Sequence, residues 1–223
     1  MKEEEKNREL IKKFVTERVI EQGRESCLMI ALETARILCG RDKATGKKTD
    51  KETDIIHSDE FKQNIITTQT SFAGLIHYLL LLDLIGAVFI PKDSNIARTI
   101  KHFHPEMNER EVYAIVALRN SLAHNYGLVN IPKYKKQYPN SLHMFSLDNF
   151  GGLNSMVEVS ETIWNKKFTC KDDSMTTNID IPKLVDFFEE IYQTLVEKVE
   201  NEKLDVVLNK GIEELKSRFT ITH

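Results

Sequence analysis

The chain has 223 residues, of which 41% are hydrophobic and 29% are charged, so it is long enough for a sizeable core and ordinary for a globular protein. Its formal net charge of −3 excludes a general basic attraction to nucleic acid, and any RNA-binding surface must therefore be local. Three cysteines, Cys27, Cys39 and Cys170, form no close pair, and residues 1–6 are too polar for a signal peptide, so we expect a cytoplasmic protein.

Helical periodicity dominates the first half of the chain. Apolar residues recur every three or four positions, and Gly, Pro and polar clusters separate the periodic runs. The pattern predicts helices over residues 9–20, 27–39, 59–88, 95–102 and 108–125. Residues 41–54 are rich in Lys, Thr and Asp without an apolar period, which predicts a solvated loop.

The character of the sequence changes after the fifth helix. Short β-like runs lie at residues 128–131, 142–147, 156–159 and 167–170, and they predict a hairpin or small sheet. Pro182 then begins a helix, and a last helix is expected over 203–218. The core stripe of the helix that begins at Pro182 is Leu184, Phe188, Ile191, Leu195 and Val199. We expect a mostly α fold, an antiparallel helical bundle, as a single domain over 1–223 with 127–178 as a β-containing insertion.

Residues 72–90 are apolar enough to pass as a membrane span. His77 and Asp83 interrupt the run, and an Asp at the centre of a bilayer costs about 2.5–3.5 kcal/mol. These residues favour a buried core helix and no membrane partner, with a membrane-associated helical protein as the alternative.

Residues 119–124, Arg-Asn-Ser-Leu-Ala-His, are the most informative stretch of the chain. The guanidinium of Arg119 offers a planar fork of donors that suits a phosphate. His124 is the residue type that moves protons near neutral pH. Arg and His at this spacing, with the amide of Asn120 between them, are a minimal metal-free set for cutting a phosphodiester.

The surrounding residues distinguish this pair from two others with similar spacing, Arg98 with His104 and Arg218 with His223. Only Arg119 is followed by a polar amide and lies in a long apolar helix. Asn108 is a good N-cap for that helix, and its apolar stripe continues into Arg119. A charge on such a stripe needs a partner, a ligand or a position at the edge, because its burial alone is expensive.

This motif resembles that of the HEPN family (higher eukaryotes and prokaryotes nucleotide-binding), in which Arg, a polar residue and His lie late in a helix of an all-α domain. The resemblance covers six residues and a compatible helical framework. It implies a metal-independent endoribonuclease without a cofactor, whose site forms in a homodimer from the two motif helices, with Arg119, Asn120 and His124 as the catalytic residues. It also implies a role in defence or RNA-level stress control and leaves room for a regulatory protein partner.

Two further clusters have functional interpretations. Lys133, Tyr134, Lys135 and Lys136 interleave cations with an aromatic ring, a pattern that suits RNA phosphates and bases, although a solvated hairpin loop has the same composition. His102 and His104, with Glu106 or His57, have the residue types of metal ligands, but surface histidines are the commoner case and we expect no metal site.

The sequence thus supports two functions. The first is an RNA-cleaving enzyme in which the 2′-hydroxyl attacks the adjacent phosphate. The second is a non-catalytic nucleotide- or RNA-binding or scaffold domain of the same family, in which Arg119 and His124 hold a phosphate or seal a dimer. A pair that faces a shared, solvent-open cleft favours the enzyme, and a buried pair held by its own carboxylates favours the scaffold.

Overall fold

A computed structural model describes residues 3–48, 60–91, 96–125, 127–131, 142–167 and 173–223, with backbone alone for residues 60–71, 125 and 173. The described elements are α1 (Glu3–Thr16), β1 (Val19–Glu21), β2 (Arg24–Ser26), α2 (Cys27–Leu38), α3 (Glu60–Phe89), α4 (Ile96–Phe103), α5 (Glu109–Asn125), β3 (Val129–Asn130), β4 (His143–Asp148), β5 (Val157–Glu158), β6 (Thr176–Asp180), α6 (Ile181–Glu200), α7 (Gly211–Arg218) and β7 (Thr220–Thr222).

The described residues form a mixed α/β fold, with seven α-helices and seven strands in two sheets. The prediction of a mostly α helical bundle is therefore wrong. One sheet has the order β1-β2-β7 and lies wholly outside the predicted β-containing insertion. Its strands have three residues each, and the first two residues of β1, Val19 and Ile20, lie inside the range predicted as the first helix.

Contacts divide the chain into two compact units, Met1–Thr99 with Phe188–His223, and Ile100–Phe187. The unit boundaries fall within α4 and α6. In the first unit α2 packs along α3 and against α1. The antiparallel sheet β1-β2-β7 closes this unit by joining the C-terminal strand to a strand near the N-terminus, with Glu25 opposite Ile221.

The second unit carries a four-stranded mixed sheet of order β3-β4-β6-β5. Strands β4 and β6 are parallel, from Met144 opposite Thr176 to Asp148 opposite Asp180, and the outer pairs are antiparallel. Helix α5 packs on strands β3, β4 and β5. This sheet supports the helix that carries Arg119 and His124. The prediction of a single domain with an insertion stays a prediction.

Most helices lie close to their predicted positions. Helices α2, α3, α4 and α5 begin and end within one or two residues of expectation, and the predicted core stripe of α6 is buried along its whole length. Three ends were predicted wrongly. The first helix begins at Glu3 and not at residue 9. The first helix ends at Thr16 and not at residue 20, and the chain continues into strand β1. The last helix begins at Gly211 and not at residue 203. The C-terminal residues 220–222 form strand β7 and pair with β2.

Within the described part of the chain one stretch, Phe72–Phe89 of α3, is long and apolar enough to cross a membrane, and 56% of it is buried inside the protein. A core helix of a soluble protein has the same properties. On this helix Tyr78 and Leu82 are fully buried, and His77 Nδ1 lies 2.9 Å from the carbonyl oxygen of Ala73.

Candidate functional site

Helix α5 is held at both ends by local hydrogen bonds. At its start the Asn108 side chain accepts a hydrogen bond of 2.8 Å from the backbone N–H of Arg110, as the N-cap prediction requires. Beyond its end the N–H of Gly127 donates at 3.3 Å to the carbonyl oxygen of Ser121, one of the carbonyl groups in the last turn of the helix. The last turn, which carries His124, therefore has a hydrogen bond that closes its C-terminal end.

One face of α5 is fully buried and sets the rotation of the helix. Ala114, Ile115, Leu118 and Leu122 have no exposed surface. Because these residues are fixed, the motif residues lie at the edge of the buried face: Arg119 and Asn120 are half-buried and His124 is exposed.

The structure brings the three predicted catalytic residues together. Arg119 Nη1 lies 3.0 Å from His124 Nε2 and 3.2 Å from Asn120 Oδ1. Five residues along a helix correspond to a rotation of about 500° and a rise of roughly 7.5 Å, so the two side chains leave the helix in different directions. The long side chain of Arg119 spans that separation by folding toward the last turn.

The direction of the Arg–His hydrogen bond fixes which nitrogen of His124 can accept a proton. A guanidinium has donors only, so His124 Nε2 must present its lone pair and the proton of the neutral ring must be on Nδ1. The arrangement therefore joins a cation able to bind a phosphate with a ring nitrogen able to act as a base. The exposed position of His124 leaves this nitrogen accessible to a ligand that replaces Arg119.

The small side chains of Ala117 and Ala123, near the motif, predict a close approach of facing motif helices in the homodimer that the resemblance implies. Ala117 has 1% of its surface exposed within a single chain, so it belongs to the core and is not available to a second helix. Ala123 is half-buried and lies beside His124 in the last turn. The close-approach role expected of Ala117 is therefore wrong, because this residue points into its own protomer.

The histidines considered for a metal have other partners. His104 Nδ1 lies 3.2 Å from Glu106 Oε1, and the His104 ring lies 4.7 Å from that of Phe187. The pKa of Glu106 lies below its usual value because its own backbone N–H bonds the carboxylate, with a further contribution from His104. His57 lies outside the described residues. Within the described ranges no group of three or more His, Cys, Asp or Glu side chains could hold a metal ion.

The RNA-contact cluster predicted from the sequence, Lys133, Tyr134, Lys135 and Lys136, lies outside the described residues. Its role as an RNA-binding loop stays a prediction.

A buried polar cluster in the first unit was not predicted from the sequence. Arg36 has no exposed surface, and it donates to Glu189 through Nε to Oε1 at 2.9 Å and through Nη2 to Oε2 at 2.7 Å. The hydroxyl of Tyr78 donates to the same carboxylate at 2.5 Å. A signal was present, since Arg36 continues the stripe of Leu28 and Leu32 on an apolar helix, just as Arg119 does on its own.

The charges in this cluster stabilise one another. Burial alone lowers the pKa of the Arg36 guanidinium, but the hydrogen bonds and charge of Glu189 outweigh it and leave the pKa above its usual value. Burial, followed by the charge of Glu189, raises the pKa of Tyr78, so the phenol stays protonated and donates. The cluster is satisfied internally, and these contacts assign it a structural role.

Comparisons with known proteins identify no relative. No family model matches the chain, and neither a curated protein nor a solved structure is similar to it.

Proposed function

We propose that this protein is a metal-independent endoribonuclease whose catalytic residues are Arg119, Asn120 and His124. The observation that carries the proposal is the 3.0 Å contact between Arg119 Nη1 and His124 Nε2 at the exposed end of a rigid helix. A permanent cation and a proton acceptor at this separation could act on the same phosphate, and this supports the proposal.

The proposed reaction begins when an RNA phosphate replaces His124 as the hydrogen-bond partner of the Arg119 guanidinium. His124 Nε2, now available, accepts the proton of the adjacent 2′-hydroxyl, and the 2′-oxygen attacks phosphorus. The bond from phosphorus to the 5′-oxygen breaks, and this oxygen receives a proton. The products are a 2′,3′-cyclic phosphate and a 5′-hydroxyl end, so atoms and protons balance without a co-reactant.

Arg119 stabilises the charge that gathers on the phosphoryl oxygens, and Asn120 orients the guanidinium through its Oδ1. One imidazole serves as base, and a second must serve as acid for the leaving oxygen in the same turnover. A homodimer, which the motif's resemblance implies, supplies that second imidazole from the partner subunit's motif helix. We propose the cytoplasm as the location.

The experiment is cleavage of single-stranded RNA in EDTA by wild type and by Arg119→Ala and His124→Ala variants. The matched controls are Arg110→Ala, which removes an exposed arginine from the same helix, and His102→Ala, which removes an exposed histidine. We expect cleavage by wild type and both controls, and loss of at least about 100-fold in each motif variant, the scale of one positioned acid or base. Equal cleavage by all five proteins would reject the assignment.

The non-catalytic alternative predicts a different result. In that case the wild-type protein binds RNA or a nucleotide in an Arg119-dependent manner but leaves the RNA intact. The exposure of His124 favours the enzyme, because a pair that only seals a scaffold has no need of a solvent-accessible base.

A further inference from the structure

A lysine-rich hairpin in the first unit has a much more rigid construction than its composition predicts. Residues 41–48 form a tight antiparallel turn. The backbones of Arg41 and Lys48 pair in an isolated antiparallel β-bridge, and the N–H of Asp42 donates to the carbonyl oxygen of Lys47 at 2.9 Å. The side chain of Asp42 holds the tip, with Oδ1 accepting from Thr45 N and Thr45 Oγ1 at 2.8 Å each. We call residues 41–48 the basic hairpin.

Buried arginines hold the basic hairpin from beneath. Arg36 Nη1 donates to the carbonyl oxygens of Lys43 at 3.0 Å and Ala44 at 2.8 Å, while its other two donating nitrogens hold Glu189. Arg41, 8% exposed, donates to the carbonyl oxygen of Gly46 at 2.9 Å. The inward direction of these carbonyl groups fixes the backbone that carries the lysines.

Gly46 shows how closely this hairpin lies on the buried carboxylate. It has φ +71°, and a Cβ at this position would lie 2.4 Å from Glu189 Oε2. No side chain fits there without displacing the carboxylate that binds Arg36.

The outer surface of the basic hairpin is cationic. Lys43, Lys47 and Lys48 are exposed, against one acidic side chain, Asp42. Three lysines elsewhere lie close to an acidic side chain: Lys13 lies 3.7 Å from Glu9, Lys183 lies 3.6 Å from Asp180, and Lys216 lies 2.6 Å from Glu21. In the part of the chain that the structure describes, the three hairpin ammonium groups have no such salt bridge. A local positive charge thus persists on a chain of net charge −3.

We propose that the basic hairpin is a binding site for the phosphate backbone of single-stranded RNA. Three ammonium groups on a fixed backbone suit a chain of phosphates, and they lose little conformational entropy of the backbone on binding. The identification of the polyanion as RNA rests on the proposed function. The site itself rests on the hairpin geometry.

The test measures RNA binding with cleavage abolished. A fluorescent single-stranded RNA is titrated with the His124→Ala protein and with the same protein carrying Lys43→Ala, Lys47→Ala and Lys48→Ala. The control carries Lys6→Ala, Lys12→Ala and Lys203→Ala, three exposed lysines whose loss changes the net charge equally. Each titration is repeated at several salt concentrations.

A plot of log affinity against log salt concentration has a negative slope. We expect the magnitude of that slope to be smaller by roughly 2 in the hairpin variant than in the His124→Ala parent, about 0.7 for each lost phosphate contact. The control should match the His124→Ala parent. Equal slopes for all three proteins, or no RNA binding by the parent, would overturn the inference. Binding of anionic lipid vesicles by the parent, with no binding of RNA, would also overturn it and assign the hairpin to a membrane surface.

The two proposals fail separately. If wild type cuts RNA in EDTA while the hairpin variant binds RNA as tightly as the control, the enzyme stands and the hairpin site is rejected. If the hairpin determines binding while no RNA is cut, the hairpin site stands and the enzyme is rejected. A Gly46→Ala variant adds a geometric test. It keeps every lysine, and we expect it to weaken binding at least about threefold, because its Cβ displaces the Glu189 carboxylate that binds Arg36 beneath the hairpin. Unchanged binding would count against a site that depends on the hairpin geometry.

Discussion

Replacing Glu189 with Ala should be among the most destabilising single changes in the first unit. The carboxylate accepts two hydrogen bonds from Arg36 and one from Tyr78, and the Arg36 side chain is 1% exposed. Truncation leaves a buried guanidinium without its counter-charge. Removal of one partner from a buried ion pair costs about 3–5 kcal/mol of unfolding free energy.

For a chain of this size each kcal/mol shifts the melting temperature by about 2–4 °C, so the expected fall is roughly 6–20 °C. Urea denaturation followed by circular dichroism gives the free energy directly. The matched control is Glu190→Ala, the next residue on α6, whose side chain is exposed. We expect that variant within about 0.5 kcal/mol of wild type.

A double variant separates lost charge pairing from lost packing. Replacing Arg36 with Met and Glu189 with Leu removes both charges, and it should be more stable than Glu189→Ala alone because no uncompensated charge remains. A loss below about 1 kcal/mol in Glu189→Ala, the scale of a surface ion pair, would refute the buried-pair reasoning. An equal loss in Glu190→Ala would also refute it.

Two further predictions follow from the perturbed groups. Burial raises the pKa of the Cys39 thiol to about 12, so little of the reactive thiolate is present at about pH 8. In a Cys27→Ser, Cys170→Ser background, alkylation of Cys39 should be on the order of a thousandfold slower in the native protein than in urea. Similar alkylation rates in the two conditions would contradict this. The N–H groups of Phe150 and Gly152 lower the pKa of Asp148, so its contribution to stability is present above the unfolded pKa and is lost as the pH falls through the folded value. The stability gap between wild type and Asp148→Asn should therefore narrow between about pH 7 and pH 3 in urea titrations, and a constant gap would exclude this role.

Sequence periodicity was sufficient for elements whose signal is local. Long helices such as α5 bury a continuous stripe, and a cap residue such as Asn108 marks where the helix begins. The strands β1, β2 and β7 escaped prediction because Val19 and Ile20 of β1 continue the apolar pattern of the first predicted helix and Arg24–Ser26 of β2 has no apolar residue. Their pairing also joins Ser26 to Thr220, across most of the chain.

The candidate site was more predictable than the fold around it. Arg119 and His124 belong to one helix, so their meeting depends on helix geometry and side-chain length alone. The basic hairpin was interpreted as a solvated loop, because its rigidity depends on Glu189, which lies 153 residues from Arg36 in the sequence. A contact between residues so far apart in the sequence leaves only an indirect signal in the sequence, which here is the charge of Arg36 on an otherwise apolar helix face.

The most direct test of the central claim compares an RNA with its fully 2′-O-methylated counterpart of identical sequence, in EDTA, with wild type and His124→Ala. The proposed chemistry needs a 2′-hydroxyl as nucleophile and His124 Nε2 as base. We predict cleavage of the unmodified RNA by wild type alone, with 2′,3′-cyclic phosphate and 5′-hydroxyl ends identified by mass spectrometry. Cleavage of the methylated strand, or equal cleavage by His124→Ala, would contradict the account.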